Sequence, residues 1–157
     1  MNDDVEIERK YLVDTPPPDL ATDWAATRIE QGYLAITDDV EVRVRRRGDT
    51  YALTVKSSPA LARVEEELAI DAERFARLWR LTEGRRVVKT RHTRDAGDGL
   101  VYELDVYEGA VAGLMTLEVE LPDEQAARAF VAPPWAGADV TGDPRYANQS
   151  LALRGRP

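Results

Sequence analysis

Through most of the chain apolar residues recur at every second position, and the residues between them are charged. In Val5-Glu6-Ile7-Glu8-Arg9-Lys10-Tyr11-Leu12-Val13, the two-residue period of a strand sets Val5, Ile7, Tyr11 and Val13 on one face, interrupted only by Arg9, and Glu6, Glu8 and Lys10 on the other. Three prolines make residues 14–19 a loop, because proline can neither join a ladder nor sit inside a helix. The alternation then predicts strands over 28–37, 40–47 and 51–56, the last two joined as a hairpin through Gly48-Asp49, and further strands over 63–68, 86–93, 100–107 and 115–121. A 3.6-residue period appears between them. Phe75, Leu78 and Trp79 form one apolar stripe, with Asp71 as cap and Gly84 past the end, which predicts a helix running to about Thr82. Pro122 suits the first position of a second helix through Phe130, and 146–154 reads as a short terminal helix.

The charged faces are sorted by sign from strand to strand. Acids dominate the first, fifth, seventh and eighth strands (Glu6 and Glu8; Glu65 and Glu67; Glu103 and Asp105; Glu118 and Glu120). Bases dominate the third, fourth and sixth (Arg43 and Arg45; Lys56; Lys89 and Arg91), and Arg63 precedes the fifth strand's acids. A wet surface designed for solubility would mix its signs. Arginine outnumbers lysine in the basic group, which suits forked hydrogen bonding to phosphate oxygens. If eight such strands close with the charges inside, the interior must be a hydrated tunnel, because desolvating that many ions would cost several kcal/mol apiece. The expected fold is therefore α+β, mainly β: an eight-stranded antiparallel closed barrel with a charged lumen, its apolar outside partly covered by helices. Carboxylates facing guanidinium and ammonium groups make a site for a metal-bound polyphosphate.

Bulk composition narrows the picture. A chain of 157 residues predicts one domain spanning 1–157. With 43% hydrophobic residues it can fold, while 32% charged residues is above the usual quarter. It has no cysteine, which removes disulfides and thiolate metal sites and leaves carboxylates as ligands. A net charge of -8 argues against a nucleic-acid partner. Without an apolar leader or a membrane-spanning run, no membrane partner and a cytoplasmic location are expected. Assembly as a homodimer is left open. The single histidine, His92, is out of phase with Arg91 and is expected to face away from the charged side. Trp24, Trp79 and Trp135 are expected to pack, since no basic surface patch surrounds them. Arg85-Arg86 fits equally well as an extension of the basic lining or as cations after a helix end.

The opening Glu6-Ile-Glu8-Arg-Lys10, continuing as Tyr-Leu-Val, resembles the signature of the CYTH or triphosphate tunnel metalloenzyme superfamily, and the small bacterial inorganic triphosphatases in particular. The later segments are similar too, in order: Arg43-Val-Arg45, Leu53-Thr-Val-Lys56, Arg63-x-Glu65-x-Glu67, Lys89-x-Arg91, Glu103-Leu-Asp105, Leu117-Glu118-Val-Glu120, and the closing Arg145-Tyr146-Ala-Asn148. The resemblance implies a tunnel that binds a triphosphate with one or two Mg²⁺ or Mn²⁺ ions and hydrolyses the terminal phosphoanhydride of a small polyphosphate. From charge, with the family in support, Lys10, Arg43, Arg45, Lys56, Arg63 and Arg91 would grip phosphate oxygens. Glu6, Glu8, Glu118 and Glu120, with Asp105 assisting, would hold metal. Glu65 and Glu67 would hold a second ion or orient its water, and Lys89 would stabilise the leaving phosphate or assist proton transfer. Organic triphosphates such as thiamine or nucleoside triphosphates, cyclisation of ATP as in class IV adenylyl cyclases, and a non-catalytic polyphosphate- or nucleotide-binding module are the competing functions.

Overall fold

A computed structural model describes residues 6–57 and 64–157. Val5 and Arg63, the latter assigned above to phosphate binding, lie outside the described residues. Eight strands are present among the described residues: β1 (Ile7–Leu12), β2 (Ala25–Ile36), β3 (Val40–Arg47), β4 (Thr50–Ser57), β5 (Glu65–Ala69), β6 (Arg86–Gly97), β7 (Leu100–Tyr107) and β8 (Met115–Leu121). They form one antiparallel sheet in the order β1-β8-β7-β6-β2-β3-β4-β5.

The sheet is not closed, which corrects the expected barrel. β1 and β5 are its two edges and do not pair with each other. The free edge of β1 is partly taken by the chain after α2, Leu12 N donating to Ala138 O and Val140 N to Lys10 O, and β5 at the other edge has five residues, none buried. Pairing it with β1 would also set Glu65 and Glu67 beside Glu6 and Glu8 on one face, and like charges on adjoining strands repel. The sheet is nonetheless strongly curved, since residues of β1 and β3, five places apart in strand order, line one cavity. The result is an open trough.

The apolar faces of the strands lie on the outside of this trough. Tyr11, Val13, Trp24, Leu104, Leu117, Val119 and Leu121 form the larger core cluster, and α2 (Glu124–Ala129) helps cover it with Ala126 and Ala127, followed by Phe130. On the same side α1 (Ala72–Trp79), capped by Asp71 accepting from Arg74 N, buries Phe75 against Tyr51 and Trp79. Trp24 stacks on Tyr102 and meets Trp135 edge-on, so these rings pack as expected. A second cluster fills one end of the charged face: Tyr33, Val87 and Tyr107 pack with Leu151 and Ala152 of α3 (Asn148–Arg154).

Several boundaries differ from the pattern. α2 starts later than Pro122, because the Asp123 carboxylate accepts from Ala126 N and so makes Asp123 the cap. The first helix tightens into a 3₁₀ turn over Arg80–Thr82, and the terminal helix is likewise split, a 3₁₀ turn at Pro144–Tyr146 preceding α3. Arg85 and Arg86 serve the helix end: Arg85 donates to Leu81 O and Tyr33 O, and Arg86 to Trp79 O and Thr82 Oγ1.

Candidate active site

Strand register decides which charges meet. In an antiparallel pair, residues directly opposite share a face. Glu8 stands opposite Glu120 and Lys10 opposite Glu118. Glu118 is in turn opposite Glu103, and Asp105 opposite Arg91. Across the sheet, Gln31 faces Arg45, Arg43 faces Thr54, Lys56 faces both Glu41 and Glu65, and Thr54 faces Glu67. The described candidate residues therefore all lie on the inner face, and His92, opposite Leu104, is on the outer one.

Within that face the candidates divide into three groups. Glu6, Glu8, Arg43, Arg45, Arg91, Glu118 and Glu120, with Glu103, line a cavity of about 740 Å³ that sets acids of β1, β7 and β8 across from bases of β3 and β6. Lys10, Lys89 and Asp105 are buried beneath it. Lys56, Glu65 and Glu67 stay at the open side; all three are exposed, and Glu67 lines a different cavity.

The buried group is an ion cluster. Asp105, 1% exposed, accepts from Lys89 Nζ at 2.7 Å and from Arg91 Nε and Nη2 at 2.8 and 2.9 Å. Burial pushes the Asp105 carboxyl up, but hydrogen bonds from Arg91 and the charge of Lys89 outweigh it and hold the group below the ordinary carboxylate range. Burial draws Lys89 below the usual lysine value against the pull of Asp105. Lys89 Nζ also reaches Asn148 Oδ1 at 3.3 Å, and Lys10 Nζ is held between Glu118 Oε1 and Tyr146 O, both at 2.9 Å. The terminal segment thus touches both buried ammonium groups.

The two walls of the cavity are each incomplete. On the acidic side, partial burial first, then the charges of Glu118 and Glu6, push the Glu8 carboxyl up to about 7 despite Lys10, although the residue is exposed and water screens that push. Four carboxylates with one nearby ammonium supply the hard oxygen donors that Mg²⁺ and Mn²⁺ take. Among the described residues no three such side chains are already gathered as a metal site, so the donor chemistry fits a cation while the donors are not preassembled. On the basic side, Nε of both Arg43 and Arg45 is buried without a hydrogen-bond partner. Orphaned donors of this kind are costly unless an anion meets them. Burial, then Arg91, Arg47 and Arg43, lower the Arg45 guanidinium from its ordinary value.

The alternation placed Glu103 in phase with Asp105 without giving it a role, and the structure ion-pairs it to Arg91 at 2.8 Å; other parts of the lining were overlooked. Gln31 lines an inner recess of about 130 Å³ with Arg43, Arg45, Lys89, Arg91 and Asn148. Its place follows from counting two residues on from Ile29. No local signal exists for Tyr107, whose hydroxyl donates to Asn148 Oδ1 at 3.3 Å, since that contact depends on where α3 docks.

Comparison with known proteins places this architecture. An inorganic triphosphatase of Nitrosomonas europaea is 48% identical over 149 residues, covering 94% of this chain and 97% of the relative. One from Acetivibrio thermocellus is 35% identical over 147 residues, covering 93% and 92%. The crystal structure of the inorganic triphosphatase NE1496 superposes with a TM-score of 0.82 at 45% identity, covering 98% of this chain and 97% of that one. The CYTH domain model matches residues 4–146. With all eight strands and their charged face inside that match, the chain belongs to the CYTH family.

Proposed function

We propose that this protein hydrolyses inorganic triphosphate to pyrophosphate and orthophosphate on the charged inner face of its trough. The observation that carries the proposal is that Arg43 and Arg45, each with a buried, unpartnered Nε donor, line the same cavity as the carboxylates of Glu6, Glu8, Glu118 and Glu120. The triphosphatase relatives, aligned over more than nine-tenths of the chain, support the same reading.

Arg43, Arg45 and Arg91 would hold the phosphoryl oxygens, with Lys10 and Lys56 adding charge at the inner and open ends and Arg63 joining them. Bound this way, the chain of phosphates is fixed for in-line attack, which converts an encounter into a positioned reaction. A Mg²⁺ or Mn²⁺ ion held by Glu6, Glu8, Glu118 and Glu120 would neutralise phosphate charge and supply water of lowered pKa. Glu65 and Glu67 would orient water at the open side. The water oxygen bonds to the terminal phosphorus and gives up a proton to solvent, the bridging P–O bond breaks, and its electron pair stays on the pyrophosphate oxygen. Lys89 and Arg91 would stabilise that developing charge. Asp105, with both oxygens engaged, is assigned to orienting Lys89 and Arg91 in place of direct metal ligation.

Phosphate release from tripolyphosphate, pyrophosphate, ATP and thiamine triphosphate, each with Mg²⁺ and Mn²⁺, tests the proposal. Tripolyphosphate is expected to be the fastest substrate, and only with a divalent cation. Faster turnover of ATP, formation of cyclic AMP, or tight binding without turnover would each overturn it.

A further inference from the structure

The inner face carries a third arginine in line with the two that wall the main cavity. β3 sets Arg43, Arg45 and Arg47 in a row, all on the inner face, and at about 3.4 Å per residue the row runs roughly 14 Å. That is longer than a chain of three phosphoryl groups. Arg43 and Arg45 serve the main cavity and the inner recess. Arg45 and Arg47 wall a second cavity of about 510 Å³ with Thr50, Ala52 and Glu67. Arg45 stands in the walls of all three, so the second cavity adjoins the first through a shared guanidinium.

This space is suited to an anion. Arg47 is exposed, and among the described residues its guanidinium has no ion-pair or hydrogen-bond partner. Buried Arg45 Nε is likewise unpartnered. Glu67 is the one acid in the wall, against two guanidinium groups, and Ala52 and Ala69 leave the space open. Guanidinium groups in a row repel one another, and an anion laid along them removes that repulsion while using the fork of each.

We propose that the second cavity is an outer subsite for the distal phosphoryl groups of a linear polyphosphate longer than triphosphate, with Arg47 setting chain-length preference. The subsite rests on the reading of the main cavity as the triphosphate site. A longer chain enters with its terminal groups between the acids and Arg43, passes Arg45, and rests its remaining length against Arg47 and Thr50.

Steady-state kinetics with linear tripolyphosphate, linear tetrapolyphosphate and a longer linear polyphosphate, on the wild-type protein, Arg47→Ala and Arg47→Lys, test this. Arg47→Ala is expected to raise KM for the longer chains about tenfold at unchanged kcat, to leave KM for tripolyphosphate within about twofold, and to be partly rescued by Arg47→Lys. Equal effects on all chain lengths, no effect on any, or a longer chain that neither turns over nor competes with tripolyphosphate would overturn the subsite. So would a loss confined to ATP, which would place an organic group in the cavity. If tripolyphosphate itself is not hydrolysed, the catalytic reading fails separately. Calorimetric titration then decides the subsite, Arg47→Ala being expected to weaken binding of the longer chains alone.

Discussion

At the scale of single residues, the site is governed by what surrounds each charge. Asp105, Lys89 and Arg91 form a buried cluster in which removing one partner would strand the others, at a cost of about 3–5 kcal/mol. Glu8 is the opposite case: it is partly desolvated and stands among like charges, and folding favours its neutral form because its pKa rises from 4.5 to about 7. The stability this group contributes is complete below about pH 4.5 and is lost as pH rises through 7. With a chelator present, the melting temperature is therefore expected to fall between pH 5.5 and 8, and the fall to be shallower in Glu8→Gln. Mg²⁺, which takes the place of the proton, is expected to raise the melting temperature more at pH 8 than at pH 5.5. Identical pH slopes in both proteins would remove Glu8 as the source. The alternation in 5–13 was enough to put Glu8 beside other acids, but not to say which: Glu118, the neighbour contributing most charge repulsion, is more than a hundred residues away and arrives through strand register.

At the scale of elements, the alternation was most informative where apolar residues filled every second place. β3, β7 and β8 begin and end where Val42-Val44, Leu104-Val106 and Leu117-Val119-Leu121 indicate. β6 runs on to Gly97 because its pairing with β7 continues past His92-Thr93-Arg94-Asp95, a stretch with no apolar residue to mark a face. Close packing between elements was not legible at all. Gly32, central in β2, is the contact point for the 3₁₀ turn after α1: a Cβ there would lie 2.6 Å from Thr82 Cβ and Oγ1. Thr82 cannot retreat, being fully buried, with its hydroxyl donating to Trp79 O at 2.7 Å and accepting from Arg86 Nε at 2.9 Å. Gly32→Ala is expected to cost about 1–3 kcal/mol, the usual range for overpacking, read as a lower urea midpoint at unchanged slope. A midpoint equal to wild type would show that the turn gives way freely.

At the scale of the whole molecule, charge is divided between two walls of one trough, and the net value of -8 says nothing of that division. Nor did the residue pattern reveal closure. Alternation tells which way a side chain points, whereas a barrel also needs its first and last strands to pair, and here β1 and β5 do not. The division has a consequence for binding. A polyanion seated on Arg43, Arg45 and Arg91 lies across from Glu6, Glu8, Glu118 and Glu120, which repel it until a cation is between them. Removing one of those acids should therefore act in opposite directions in the two conditions. Without a divalent cation, Glu120→Gln is expected to tighten tripolyphosphate binding by about fivefold, corresponding to roughly 1 kcal/mol for unit charges a few ångströms apart in water. With Mg²⁺ or Mn²⁺ at fixed concentration, the same change is expected to raise KM, because a cation ligand has been lost. Calorimetry in a chelator and steady-state rates with metal measure the two arms. Tighter binding in both would mean that Glu120 acts by bulk charge alone and that the acidic wall is not where the cation sits, and weaker binding in both would mean that Glu120 does not repel the anion.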